Sequence, residues 1–278
     1  MVDYFQFVHV RRAAEKFSVL PTLPAIIVFI IVFVAVLVFS LLYLDPLFFE
    51  MFLAGELKRD GFFASITIFG RSNWVLFVTG SALLIVSLNY FPNDNLAARI
   101  HWHHIFLKLY FIFTSVAYSG FIVILLKNLF GRARPMLHNL YQPDVWFSSP
   151  FTDGYLYASF PSGHTTTCVS FTLAVLLVAP RIGYLICPLA VLVSLSRVAI
   201  GEHFPSDVVG GLFVGIGFTY FYARVFARKR LLFNFTDTGK LKLRNKTAKM
   251  ARRKLRVGGD PKRTLDMKTS NQTPIEKT

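Results

Sequence analysis

The run LPAIIVFIIVFVAVLVFSLLYL, residues 23–44, contains no charged side chain. As an α-helix rising 1.5 Å per residue it would be about 33 Å long, which is enough to cross a bilayer core of ~30 Å. It is longer than the core of a signal peptide, and no cleavage site of small residues follows it. The basic residues Arg11, Arg12 and Lys16 precede it. The run therefore predicts an uncleaved first membrane span.

The whole chain is 54% hydrophobic and 16% aromatic, with a positive mean hydropathy. These values exceed those of a typical soluble domain. The sequence thus predicts an all-α integral membrane protein with six transmembrane helices. Cys168 and Cys187 both fall within apolar runs, so neither a disulfide framework nor a zinc pattern is indicated. Five apolar runs follow the first, at about 74–91, 105–126, 164–179, 183–199 and 208–226.

Residues 46–70, between the first two predicted spans, mix apolar and charged side chains. Phenylalanines and leucines are interspersed with Glu50, Glu56 and Lys58. This mixture favours one or two amphipathic helices that lie at the membrane interface rather than a further crossing.

The formal net charge of +15 is concentrated at the C-terminal end. From Arg224 onward there are 17 Lys and Arg against 4 Asp and Glu, a net charge of +13, whereas the remaining residues hold 13 against 11, a net charge of +2. We therefore divide the chain into a six-span domain, residues 1–226, and a basic tail, residues 227–278. The tail is expected to be disordered or to lie on anionic lipids, since each basic residue near such a surface contributes roughly 1 kcal/mol. Because the body of the chain is not basic, a nucleic-acid partner is not expected.

The predicted orientation follows from the positions of the basic residues. Six spans place both termini on one side, together with the short loops that hold Arg99 and Arg181. Basic loops and termini favour the cytoplasm. The opposite side then receives three segments with candidate chemistry, at about 46–70, 127–160 and 200–207.

The first of these chemical segments is KNLFGRARP, residues 127–135. Lys127 ends a span, where a cation also complements the helix C-terminus. Alone, it would serve as an interfacial anchor. Together with Arg134, and with Arg132 in support, it provides fixed cations for the oxygens of a phosphate group.

The second segment is FPSGH, residues 160–164. Pro161 suits the first turn of a helix, and the backbone N–H groups of Ser162 and Gly163 are expected to point at an anion there. His164 is a candidate proton donor near neutral pH. The alternative is that Ser162 only caps the helix and His164 is an interfacial polar residue.

The third segment is SRVAIGEHFPSD, residues 196–207. Arg197 ends a span and is a further candidate phosphate ligand. Asp207 follows His203 by four residues, so its carboxylate is expected to orient one imidazole nitrogen and leave the other free as a nucleophile. Alternatively, Asp207 merely caps the last helix. It costs free energy to group cations, histidines and a carboxylate on one face of a membrane, so such a group indicates a function. These residue types suit phosphoryl transfer.

The series Lys127-x6-Arg134-Pro135, Pro161-Ser162-Gly163-His164 and Ser196-Arg197-x5-His203-x3-Asp207 resembles the three-part signature of the type 2 phosphatidic acid phosphatase superfamily. The resemblance covers residues 127–207 in the order of the family's motifs. It implies that His203 attacks phosphorus to form a phosphohistidine, that His164 protonates the leaving oxygen and that Asp207 orients His203. It implies no metal ion and no other cofactor. The phosphate ligands that it implies are Lys127, Arg134, Ser162, Gly163 and Arg197.

The same resemblance predicts a lipid phosphate as the substrate and the bacterial inner membrane as the location, with the site facing the periplasm or exterior. The intact Pro-Ser-Gly-His favours an enzyme of the lipid A 1-phosphatase or phosphatidylglycerophosphatase type. A phosphotransferase, an undecaprenyl pyrophosphate phosphatase, and a transporter or membrane scaffold stay open as alternatives, as does the oligomeric state. The HWHH stretch, residues 101–104, resembles a metal tract but is predicted on the cytoplasmic side, which favours a structural role.

Overall fold

The computed structural model describes residues 18–55, 61–90, 96–137, 150–151 and 154–244. This part of the chain is mainly helical. Five helices are long and apolar enough to cross a membrane, and the chain is an integral membrane protein. The helices are α1 (Leu23–Phe39), α2 (Asp45–Leu53), α3 (Phe62–Ile66), α4 (Ser72–Tyr90), α5 (Leu96–Phe130), α6 (Gly163–Val178), α7 (Pro180–Ala199) and α8 (Pro205–Arg228).

All six predicted spans are helical, but one is shorter than a full crossing. Helix α6 has 16 residues and is therefore about 24 Å long, less than the ~30 Å of a bilayer core. By contrast, α5 has 35 residues and is about 52 Å long, so it extends well beyond the core. The structure thus supports five spans by length, and a sixth crossing stays a prediction.

The first helix continues further than its apolar run indicates. A π-helical turn, Ser40–Leu44, joins α1 directly to α2, so residues 23–53 form one helical rod. The predicted interfacial segment is therefore divided. Its first part extends the first span, and its second part forms α3 and a 3₁₀ turn, Thr67–Gly70. Residues 56–60, which carry most of its charges, lie outside the described residues.

Helices α6 and α8 pack closely because glycines on α8 admit the backbone of α6. A Cβ atom added at Gly211 would lie 2.5 Å from the carbonyl oxygen of Ser162. The hydroxyl of Thr166 donates to the carbonyl of Gly211 at 3.1 Å. This close approach sets the first residues of α6 against the first turns of α8.

The packed body extends beyond residue 226, where the sequence predicted the tail to begin. Two short strands, β1 (Phe233–Phe235) and β2 (Leu241–Leu243), pair antiparallel with Phe233 opposite Leu243. The ring of Phe233 is buried and packs edge-on against Phe111 of α5 at 5.1 Å. Burial of such an aromatic side chain stabilises the fold by about 1.5–3 kcal/mol, which explains why this hairpin stays with the body. Residues 245–278 lie outside the described residues.

Candidate active site

The turn between α7 and α8 holds His203 in a buried position. Gly201 has φ +71°, a conformation that favours glycine, and a Cβ atom there would lie 2.4 Å from the ring of Phe52. The backbone N–H groups of Glu202 and His203 both donate to the carbonyl of Arg197, at 3.1 and 3.2 Å. The last residues of α7 and a phenylalanine from α2 therefore determine where His203 lies.

The His203 imidazole is paired with the carboxylate that its spacing predicts. Its Nδ1 lies 3.3 Å from Oδ2 of Asp207. The same oxygen accepts hydrogen bonds from the hydroxyl of Ser159 at 2.5 Å and from the backbone N–H of Phe204 at 2.9 Å. Asp207 thus caps α8 and contacts His203 at once, so the two alternative interpretations of this residue are compatible.

Burial determines the charge of this histidine. Because the His203 side chain is removed from solvent, its pKa lies well below the ordinary value of 6.5, and the hydrogen bond to Asp207 offsets only part of that shift. His203 is therefore neutral near pH 7. With Nδ1 facing Asp207, its Nε2 is the nitrogen left for chemistry.

The other oxygen of Asp207 belongs to a buried ion-pair network that the sequence analysis missed. Nη1 of Arg132 donates to Oδ1 of Asp207 at 2.7 Å, and Nη2 donates to Oδ2 of Asp45 at 2.8 Å. The backbone N–H of Ser206 donates to Asp45 at 2.9 Å. Arg132 also lies 4.5 Å over the ring of Phe204. An arginine treated as a supporting phosphate ligand is thus the link between the first helical rod and the His203–Asp207 pair.

Two predicted phosphate ligands converge on one backbone carbonyl. Nζ of Lys127 donates to the carbonyl of Ala158 at 2.6 Å, and Nη2 of Arg134 donates to the same oxygen at 3.3 Å. The next residue is Ser159, whose hydroxyl contacts Asp207. The segment 158–159 therefore joins the two cations to the histidine–carboxylate pair.

The start of α6 differs in detail from its prediction. The helix begins at Gly163 with Ser162 as N-cap, so Pro161 precedes the helix rather than occupying its first turn. The backbone N–H of Ser162 donates to the carbonyl of Asp207 at 2.9 Å, which is incompatible with the prediction that it points at an anion. The hydroxyl of Ser162 makes no capping bond and accepts a hydrogen bond from Thr165 at 3.1 Å. This hydroxyl and the first turn of α6 remain the possible anion donors there.

Gly163 and His164 face the other parts of the site. A Cβ atom added at Gly163 would lie 3.8 Å from Cε of Lys127, so this glycine adjoins the first cation. A Cβ atom at Gly70 would lie 2.7 Å from Cδ2 of His164. The 3₁₀ turn Thr67–Gly70 thus packs directly against the second histidine.

Arg197 reaches the site from the last turn of α7. Its Nη1 donates to the hydroxyl of Thr67 at 2.7 Å, and its Nη2 lies 3.6 Å from Oε2 of Glu202. Its Nε is buried and has no hydrogen-bond partner in the part of the chain that the structure describes. Arg197 therefore retains unused hydrogen-bonding capacity beside His203, as a residue that receives an anion requires.

The predicted site residues all lie at one end of the helices, and the HWHH histidines, which were predicted to be structural, lie towards the other end. His101 is near the start of α5 and Lys127 near its end, about 39 Å apart along the helix axis. Within the described ranges, no group of three or more His, Cys, Asp or Glu side chains is placed to hold a metal ion. The residues that sequence reasoning missed are Asp45, Ser159 and Glu202. Asp45 alone had a visible signal, since it is an acidic residue at the end of an apolar run.

The fold and the site define a class: a helical membrane protein with a buried histidine–carboxylate pair beside three cations. Residues 108–231 match the family model of the PAP2 superfamily. The matched segment contains the whole of α6, α7 and α8 and all three predicted motifs.

Named relatives are similar to this chain over part of their length. A lipid A 1-phosphatase of Rhizobium etli is 38% identical over 129 residues, which are 46% of this chain and 55% of that protein. The undecaprenyl-diphosphatase BcrC of Bacillus subtilis is 41% identical over 66 residues, 23% of this chain and 34% of that protein. The chain therefore spans about half the length, or less, of these curated relatives.

One solved structure also overlaps with the fold. It is described as the first transmembrane PAP2 type phosphatidylglycerolphosphate phosphatase from Bacillus subtilis. The two chains are 21% identical with a TM-score of 0.36, and the overlap covers 83% of this chain and 96% of that one.

Proposed function

We propose that this protein is a membrane lipid phosphatase that hydrolyses a phosphate ester or pyrophosphate through a phosphohistidine on His203, without a metal ion. The observation that carries the proposal is the buried His203, held by Asp207, with Lys127, Arg134 and Arg197 at the same end of the helices. Phosphoryl transfer relies on positioning and charge stabilisation, and this arrangement supplies both. Ser162 and Gly163 complete the proposed phosphate site.

The first step forms one bond and breaks one. Nε2 of neutral His203 attacks phosphorus, and the bond from phosphorus to the lipid oxygen breaks with its electron pair. His164 gives a proton to that oxygen, so a phosphate ester leaves as the lipid alcohol and a pyrophosphate leaves as the protonated lipid phosphate. Asp207 stabilises the positive charge that develops on the His203 ring, because its carboxylate lies 3.3 Å from Nδ1.

The second step reverses the roles of the groups. His164, now neutral, takes a proton from water, and the water oxygen attacks phosphorus. The bond between phosphorus and Nε2 breaks, which releases inorganic phosphate and restores His203. The cations hold the phosphoryl oxygens through both steps, which is the charge stabilisation that such reactions need.

Lipid A 1-phosphate is the substrate that the relatives favour. The similar proteins include a lipid A 1-phosphatase at 38% identity, and the intact Pro-Ser-Gly-His agrees with that type. The similarity to an undecaprenyl-diphosphatase supports undecaprenyl pyrophosphate as the second candidate. Phosphatidylglycerophosphate remains a third candidate from the motif resemblance.

A panel of lipid phosphates tests the function. Detergent-solubilised protein is expected to release phosphate from at least one of lipid A 1-phosphate, undecaprenyl pyrophosphate and phosphatidylglycerophosphate. Release should persist in EDTA and be inhibited by vanadate, which resembles the pentacoordinate transition state. Transfer of radiolabelled phosphate to an added acceptor lipid would indicate a phosphotransferase instead. No release from any member of the panel would favour a transporter or a scaffold.

The proposal includes a side of the membrane. The basic termini favour the cytoplasm, so the site is proposed to face the periplasm or exterior of a bacterial inner membrane. A water-soluble short-chain lipid phosphate should then be hydrolysed by intact spheroplasts without permeabilisation. Hydrolysis only after permeabilisation would reverse the orientation. The contact of residues 245–278 with anionic lipids stays a prediction from their charge.

A further inference from the structure

The carboxylate of Glu202 contacts two of the cations of the proposed phosphate site, Arg134 and Arg197. Its Oε2 accepts hydrogen bonds from Nη1 of Arg134 at 2.7 Å and from the hydroxyl of Tyr155 at 2.7 Å. The same oxygen lies 3.6 Å from Nη2 of Arg197. Two of the three cations assigned to the phosphate are therefore turned towards a carboxylate of the protein itself.

A carboxylate and a phosphate compete for the same donors. The planar fork of arginine binds both anions with similar hydrogen-bond geometry. Oε2 of Glu202 lies 2.7 Å from Nη1 of Arg134. A phosphate oxygen that accepts a hydrogen bond from the same Nη1 would have to replace Oε2, because two anionic oxygens bound to one nitrogen repel each other. Binding of substrate therefore requires the Glu202 side chain to move.

The backbone around Glu202 permits this movement without disturbing His203. The Glu202 N–H donates to Arg197 at 3.1 Å, and its carbonyl accepts from Arg134 at 3.1 Å, so the main chain is held at both ends. The side chain is 21% exposed, whereas that of Arg134 is 5% exposed. Rotation of the glutamate towards solvent leaves the cations and the adjacent nucleophile in place.

Tyr155 fits the same interpretation. Burial and its hydrogen bond with Glu202 raise the pKa of this phenol above 10.0, so it remains a donor at neutral pH. The Arg134 guanidinium lies 3.9 Å over its ring. Once Glu202 leaves, the Tyr155 hydroxyl and the guanidinium can both turn to a phosphate oxygen.

We propose that Glu202 is a built-in competitor that binds the phosphate site in the absence of substrate and returns to displace product phosphate. The inference rests on the proposed function. It makes the enzyme bind both lipid phosphate and inorganic phosphate more weakly than the cations alone would, and so favours product release. A purely structural ion pair makes the opposite prediction, since loss of Glu202 would then misplace Arg134 and weaken anion binding.

The test is inorganic phosphate binding to the full-length protein in detergent, measured by calorimetry. Glu202→Gln is expected to bind phosphate about 10- to 100-fold more tightly than the wild type, the range that a charged hydrogen bond supplies. The KM for the lipid phosphate should fall as well, where chemistry is slower than dissociation. Glu50→Gln is the matched control, because it removes the same charge from an exposed position on α2 and should leave both constants unchanged.

Equal or weaker phosphate binding in Glu202→Gln overturns the proposal. If that variant does not fold, Glu202→Asp is used instead. Its shorter side chain should lose contact with Arg134, so the variant protein should also bind phosphate more tightly than the wild type. The outcomes for the two proposals are separable. A wild type that hydrolyses lipid phosphate, with unchanged binding in the variant, removes only the role of Glu202. A wild type that neither binds phosphate nor hydrolyses any lipid phosphate removes both.

Discussion

Replacement of His203 by alanine is expected to reduce phosphate release by about 10⁴-fold or more, the loss seen when an enzyme's nucleophile is removed. The physical reason is that Nε2 of His203 supplies the electron pair for the first step, so without this imidazole the bond to phosphorus cannot form. His101→Ala is the matched control. His101 is an exposed histidine about 39 Å away along α5 and should retain full activity.

The same assay separates the two histidines. His164→Ala should lose less activity when the leaving group is a good one, such as nitrophenolate, because that oxygen departs without a proton. His203→Ala should stay inactive towards both kinds of substrate. Full activity in His203→Ala, or equal losses for both variants with every leaving group, would contradict the assigned roles.

Replacement of Arg132 by methionine is expected to have the largest effect on stability. The side chain is buried between Asp45 and Asp207, and its removal leaves two carboxylates without their cation. Breaking a buried ion pair of this kind costs about 3–5 kcal/mol. Thermal unfolding in detergent should therefore shift to lower temperature. Phosphate release should fall as well, because Asp207 is then less firmly held beside His203.

Two companion variants identify the cause of that loss. Arg181→Met removes an exposed arginine at the other end of α7 and should change neither stability nor activity. Asp45→Asn combined with Arg132→Met should be less destabilising than the sum of the two single changes, because the groups belong to one network. Strictly additive effects, or an unaltered unfolding temperature for Arg132→Met, would show that the network does not hold the site together.

The spans and the three motifs were predictable from the sequence because their signals are local. Apolar runs located all the main helices to within a few residues, except that α1 continues into α2 and α5 starts near residue 96 rather than 105. The four-residue spacing of His203 and Asp207 placed their side chains together across the turn that opens α8. The hairpin at residues 233–243 was missed, because three-residue strands are too short to show a period of two.

For the charged residues, too, the sequence predicted their positions along the chain but not their partners. The sequence by itself determined that this is a helical membrane protein with cations and histidines at the ends of its apolar runs, since a charge beside a bilayer is costly wherever it stands. Only the tertiary structure decided which charges meet. Arg132, which the sequence analysis treated as a supporting phosphate ligand, instead pairs with Asp45 and Asp207. Arg134 pairs with Glu202. Ion pairing depends on distances between residues far apart in the chain, and those distances are set by how the helices pack.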